Sequence, residues 1–224
     1  MQAGGAWENP AWFRAREGES ASAEEAAAET AIDENDSSGI SGYLPSFRHT
    51  NWHAAVQREV DAVNTGAGII DVSSFAKFHV SGPGAAKFLD RLVANRLPKE
   101  GRLNISHMLT PSGKVLAELT VTRLREGEGF YIVTGGGSEL HDLRWMQHVA
   151  NMECGGAEAA GVRIDNVSGD YAVLSVAGPL AREVLEEAGA SCPLSDEEFP
   201  FLTYKDAFVG KAPVRAVRVT FTGE

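Results

Sequence analysis

The chain has 224 residues, 43% of them hydrophobic, enough to build a sizeable core in one large domain or two small ones. Its 20 lysines and arginines are outnumbered by 31 aspartates and glutamates, for a net charge of −11. That balance argues against nucleic acid and anionic membrane surfaces as partners, and no apolar run approaches the roughly 20 residues that span a bilayer. Cys154 and Cys192 lie far apart and share no CxxC spacing. They read as neither a disulfide framework nor a zinc site and fit a reducing compartment. The opening MQAGGAWENPAWF is neither basic nor continuously apolar, so it is not a secretory signal.

Residues 14–45 read as an acidic flexible linker, rich in alanine, glutamate and serine and then in aspartate, serine and glycine. Regular patterning begins at Ser46. Trp52, Val56, Val60 and Val63 recur at helical spacing and predict an amphipathic helix that Gly66 and Gly68 end. Gly68 to Gly82 reads as strand material. Pro83-Gly84 opens a helix with Phe88, Leu89, Leu92 and Val93 on one face. Asn104 to Leu124 reads as a β-hairpin whose turn is Pro111-Ser112-Gly113. In its second strand Val115, Ala117, Leu119 and Val121 alternate with Leu116, Glu118, Thr120 and Thr122. The first set predicts a core face, the second the wall of a polar cavity. A strand over 129–134 follows, then a helix capped by Ser138 and running to about Ala150, with Leu140, Leu143 and Met146 inward. Strands over 162–167 and 171–176, a helix over 179–187 and a strand over 212–222 complete the pattern. Strands and helices in this order predict an α+β fold with mainly antiparallel sheets.

Glu118 is the acid placed in the middle of an alternating strand. It is either a solvated surface group or a positioned catalytic one. His107, just before the turn, reads as a core or rim histidine. His141 and Asp142 are expected to point in different directions on their helix. His49 and His53, four apart, lack a spaced third ligand for a metal. Gly135-Gly136-Gly137 does not match GxGxxG and reads as a tight turn or close backbone approach. Tyr204, Arg215 and Arg218 lie in or near the last strand; either arginine suits a carboxylate or a plain surface role.

The blocks PSFRHTNW, GIIDVSSFAKFHVSG, FLDRLVANRLPK, NISHMLTPSGKVLAELTVTRL, GSELHDLRWM, VAGPLAREVL, FPFLTYK and PVRAVRVTFTGE follow one another from about residue 43 to the end. In that order they resemble the tetrahydrofolate-binding domain shared by the glycine cleavage T-protein (an aminomethyltransferase), sarcosine dehydrogenase and dimethylglycine dehydrogenase, with the last most alike. The resemblance implies three folate-binding lobes. Residues 46–154 would form the first and 155–224 an incomplete second, with the third missing, so the chain reads as truncated. Residues 1–13 look like the end of a connection to an upstream flavin domain, which would hold FAD. Tetrahydrofolate is the cofactor implied, with folate and that flavin domain as partners. Glu118 falls where the family carries its catalytic carboxylate, although the paired acid of some T-proteins is Ala117 here. Met108, Leu116, Thr120, Tyr204 and Phe221 are the implied cofactor-binding set, Phe221 standing where relatives carry tyrosine. The resemblance implies one-carbon transfer to tetrahydrofolate from an oxidised N-methyl amine, in the mitochondrial matrix of a eukaryote or the cytoplasm of a bacterium. Two alternatives stay open: a free-standing aminomethyltransferase, and a non-catalytic folate-binding or scaffold relative.

Overall fold

A computed structural model describes residues 2–4, 7–9, 52–155 and 161–220. The expected linker, His49 and Phe221 lie outside them. The described residues divide into two compact units, one holding those up to Gly68 with Val176–Ala181, the other Ile69–Ser175 with those from Arg182 onward.

In the first unit, β1 (Gln2–Gly4) and β2 (Trp7–Asn9) pair antiparallel. Helix α1 (His53–Thr65) forms where the spacing predicts it. Its valine stripe is not its buried face, however: Val56 and Val60 are exposed, and the buried residue is Ala55. Gly66 ends the helix through its N–H to the Ala62 carbonyl, 2.9 Å, and its own carbonyl accepts the Leu180 N–H at 3.0 Å.

The strand material expected over 68–82 forms two strands, β3 (Gly68–Asp71) and β4 (Ala76–Ser81). The break is a turn in which the Asp71 carboxylate accepts the Ser73 N–H at 2.8 Å. An aspartate that bonds the backbone two residues on offers the chain a turn in place of a strand.

The second unit is built on a five-stranded antiparallel sheet. It is formed by β5 (Leu103–Leu109), β6 (Val115–Arg123), β7 (Phe130–Thr134), β4 and β8 (Arg163–Asn166), in that order. The expected lobe boundary at 154/155 thus falls inside one unit, since β8 pairs with β4. The hairpin turn is as predicted, Gly113 standing at φ +78° with its N–H on the Thr110 carbonyl at 2.8 Å. Only glycine takes that φ at little cost.

Two helices, α2 (Ala85–Leu92) and α3 (Glu139–Cys154), cover one face of the sheet. Phe78, Val80, Leu119, Val121, Phe130 and Ile132 from the strands meet Phe88, Leu89, Leu92 and Met146 from the helices, all buried. Leu140, expected inward on α3, is exposed, and Leu143 is partly buried against the core. Gly136 sits in the turn before α3, where a Cβ would lie 1.8 Å from the Ser74 carbonyl oxygen. The glycine run therefore serves close backbone packing against the turn after β3.

After β9 (Leu174–Ala177) and α4 (Ala181–Glu187), the chain forms a second hairpin, β10 (Thr203–Val209) with β11 (Ala212–Arg218). Only β11 was legible as a strand; β10 and the Gly210-Lys211 turn were not. The hairpin docks on the sheet through the Leu103 N–H to Leu202 carbonyl bond at 3.1 Å and an Arg102–Thr203 bridge.

Candidate functional site

The face of the sheet opposite α2 and α3 carries Glu118. Register places His107 directly across from it on β5 and Thr120 one step along, between Ile105 and Val133. Nε2 of His107 stands 3.3 Å from Oε2 of Glu118, with the two side chains 41% and 56% exposed. The contact is an exposed charge pair when the imidazole is protonated. The second oxygen, Oε1, has no hydrogen-bond partner among the described residues. The histidine expected in the core or at the rim thus stands opposite the expected acid. Opposed residues in an antiparallel ladder bring their Cβ atoms to about 5 Å, so the seven-residue strand pattern around His107 held this pairing in principle.

The remaining site expectations divide by face. Thr120 lies beside Glu118 as predicted by alternation. Met108 does not: it is fully buried in the core, pointing away from its neighbour His107. Leu116 also packs against the core, although strict alternation set it beside Glu118. The cause is a β-bulge. Met108 pairs with Ala117 and Leu109 with Val115, so Leu116 is the extra residue and the alternation breaks there. The same break leaves Val115, expected in the core, 63% exposed.

Tyr204 is buried at the other end of the sheet, where its hydroxyl oxygen accepts the Arg125 N–H at 2.8 Å. Its neighbourhood is four or more residues from Glu118 along β6, on the order of 13 Å. Arg218 donates to the Phe199 carbonyl at 2.6 Å and pairs with Asp196, which Arg182 also approaches. The Arg218 hydrogen bond holds the Asp196 carboxyl below its ordinary range. Arg218 therefore ties down the segment before β10. His141 and Asp142, expected to diverge, touch: Nδ1 to Oδ1 is 3.0 Å, and the buried Asp142 also accepts the Ser138 hydroxyl at 2.7 Å.

Lys77 was not singled out in the sequence. It is fully buried on the Glu118 side of β4, its ammonium donating to the Ser73 and Phe75 carbonyls at 2.8 and 2.9 Å. Burial pushes it below its ordinary pKa, with Glu139 and Asp71 pulling the other way.

Further along the same face is a cavity of about 400 Å³ lined by His79, Leu124, Glu128, Tyr131, Tyr171 and Arg215. It does not include Glu118. Tyr131 pairs with Thr122 on β6, which ties the cavity to the sheet. Burial pushes the Tyr131 hydroxyl up to about 12, the neighbouring Tyr171 adds to the rise and Arg215 opposes it.

The family model for the GCVT N-terminal domain matches residues 1–224. The chain belongs to that family. It is 48% identical over 182 residues to mouse mitochondrial dimethylglycine dehydrogenase, covering 81% of this chain and 20% of that protein. An aminomethyltransferase of Bacillus subtilis is 31% identical over 174 residues, covering 76% of this chain and 45% of that one. Among solved structures, aminomethyltransferase T of the Bartonella henselae glycine cleavage system matches with a TM-score of 0.57 and 25% identity, over 67% of this chain and 38% of that chain. The chain thus spans about one fifth of the length of the dehydrogenase it resembles. The α+β fold with mainly antiparallel sheets is the family's, as the motif blocks implied. Among the described residues no helix is long and apolar enough to cross a membrane.

Proposed function

We propose that this chain is the tetrahydrofolate-binding, one-carbon-transfer region of a dimethylglycine or sarcosine dehydrogenase-like protein, receiving a methylene unit from an oxidised N-methyl amine. The observation that carries this reading is Glu118: a carboxylate on the open face of a strand in this family's fold, with His107 opposite it in the ladder and 3.3 Å away. The donor set fits the group. A pterin presents ring N–H donors along one edge, and a carboxylate oxygen, an imidazole and the Thr120 hydroxyl complement them.

When bound, tetrahydrofolate supplies the amine that takes up the one-carbon unit. Glu118 then holds negative charge beside a centre that gains positive charge, and Oε1 accepts the proton the amine gives up. Glu118 is more than half exposed in the described residues, so its effect depends on the ligand itself excluding water, which strengthens the charge interaction.

Similar dehydrogenases of mouse and human are named as mitochondrial, which supports the proposal of a mitochondrial matrix location for this chain in a eukaryote; in a bacterium we propose the cytoplasm. Calorimetric titration with tetrahydrofolate tests the reading. We expect saturable binding that Glu118→Gln weakens by about tenfold or more, as loss of a charge-assisted hydrogen bond implies. Equal affinity of the two proteins sinks the role of Glu118.

A further inference from the structure

The backbone of β5 fixes where His107 stands. Its neighbours Ser106 and Met108 are both buried, and the Ser106 hydroxyl oxygen accepts the Asn95 N–H at 3.0 Å. The His107 carbonyl accepts the Ala94 N–H at 2.9 Å. With its own backbone and both neighbours pinned, His107 presents its ring to the open face, directly opposite Glu118. Nε2 comes to 3.3 Å from the Glu118 carboxylate. Both side chains stay well exposed, and a pair so open to water adds little to stability. Its consequence lies in charge.

Histidine is the side chain that changes charge across neutral pH, while a glutamate there stays ionised. A neutral imidazole leaves the carboxylate free and adds an acceptor of its own. An imidazolium has donors only and pairs with the carboxylate. The charged groups on the surrounding elements are tied elsewhere or stand apart. Lys114 lies in the turn that joins β5 to β6, and Arg96 in the segment after α2; among the described residues neither forms an ion pair with His107 or Glu118. On β7, Tyr131 and Val133 share this face, and Tyr131, pushed up to about 12 by burial, stays neutral. On β4, Lys77 is bound to the Ser73 and Phe75 carbonyls, and the His79 ring to the Glu128 carbonyl. Among the described residues, the titratable group in contact with Glu118 is therefore His107.

We propose that His107 is a positioning residue that sets the state of Glu118. Neutral, it leaves the carboxylate open to a ligand's N–H donors and to the proton that the amine releases. Protonated, it occupies the carboxylate and weakens both interactions. The inference rests on the one-carbon reading and adds to it a control by pH. Acid favours the imidazolium, so affinity for a ligand that donates to Glu118 falls as pH falls.

Calorimetric titration of the full chain with tetrahydrofolate, stepped from about pH 8 to about pH 5.5, tests it in the wild type and two variants. The wild type should lose about three- to fivefold in affinity across that range, the scale of an exposed charge pair. His107→Gln carries no charge and should hold one affinity to within about twofold, since the carboxylate itself stays ionised. His107→Arg is charged throughout and should bind at least about threefold more weakly than the wild type at the upper end of the range, with little change below it. The ligand's own protonation, His79 and Lys77 are common to all three proteins, so the difference between profiles reports His107. Parallel profiles in the wild type and His107→Gln overturn the proposal, as does wild-type affinity in His107→Arg at the upper pH. Each variant changes an exposed side chain, circular dichroism checks its fold, and if one does not fold the other decides. Parallel profiles with binding intact leave the one-carbon reading standing. Absence of tetrahydrofolate binding to the wild type at every pH overturns that reading, and this inference with it.

Discussion

Phe78 and His79 are adjacent on β4, and they serve opposite faces of one sheet. Phe78 is fully buried among the side chains of α2 and α3. His79 looks the other way, into a cavity it shares with Tyr131 and Arg215. The same division runs across the sheet, with Leu119 and Val121 on one side and Glu118 and Thr120 on the other. On the first face the side chains are apolar and close-packed, where even one lost methylene is felt. The second mixes polar groups such as Glu118, Thr120 and the buried Lys77 with Ile105 and Val133, and it brings His107 to 3.3 Å from Glu118. Alternation thus separates stability from chemistry at intervals of one residue, and substitutions should separate the same way.

The largest effect is expected on the packed face. Phe78→Ala should cost about 3–5 kcal/mol in urea unfolding, from lost burial and the cavity left behind; a cost under about 1 kcal/mol would break the division. Next comes Tyr131, whose pKa rises from 10.0 to about 12 on folding. A raised pKa means that the folded state holds its proton longer than the unfolded chain does. The associated stability is complete below pH 10 and is lost as pH climbs toward 12, by at most about 2 kcal/mol once solvent screening of the partly exposed ring is allowed for. Unfolding at stepped pH should show that loss in the wild type and a smaller one in Tyr131→Phe. Lys77→Met should cost about 1–3 kcal/mol, because it strands the Ser73 and Phe75 carbonyls; a neutral result would show that those carbonyls find water. Smallest is His107→Gln, where an exposed pair contributes under about 1 kcal/mol to stability. That variant should change tetrahydrofolate affinity more than unfolding free energy, and the reverse would make the pair structural.

The packed face was readable from the sequence, since Phe88, Leu89, Leu92 and Leu119 sit at the spacings that their elements demand, and all are buried. The hairpin turn was readable because proline and glycine state its dihedrals. Glu118 and Thr120 were legible as one face. Leu116 was not, because a bulge is one residue of extra chain and leaves no mark in an alternating pattern. Met108 was assigned by resemblance although its own alternation with His107 pointed to the core. The Lys77 niche escaped because a buried lysine is recognised by the carbonyls that fold around it, which come from the turn hidden inside Gly68 to Gly82. Arg215 was noticed but not placed: its stacking between Tyr131 and Tyr204 joins residues more than 70 positions apart in the chain, and no local pattern reports that.

The bulge at Leu116 bears on how this hairpin tolerates change in length. The turn at Pro111 to Lys114 is exposed and its glycine has open space around it, so residues gained there lengthen a loop and nothing else. Deleting one residue between Val115 and Ala117 would instead erase the bulge and restore a continuous ladder. Val115 would keep Leu109 opposite it but stand directly next to Ala117, and would turn to the ligand side. Length variation among members of this family should therefore collect at the turn and stop short of the bulge, which acts as the fixed origin from which the position of Glu118 is measured.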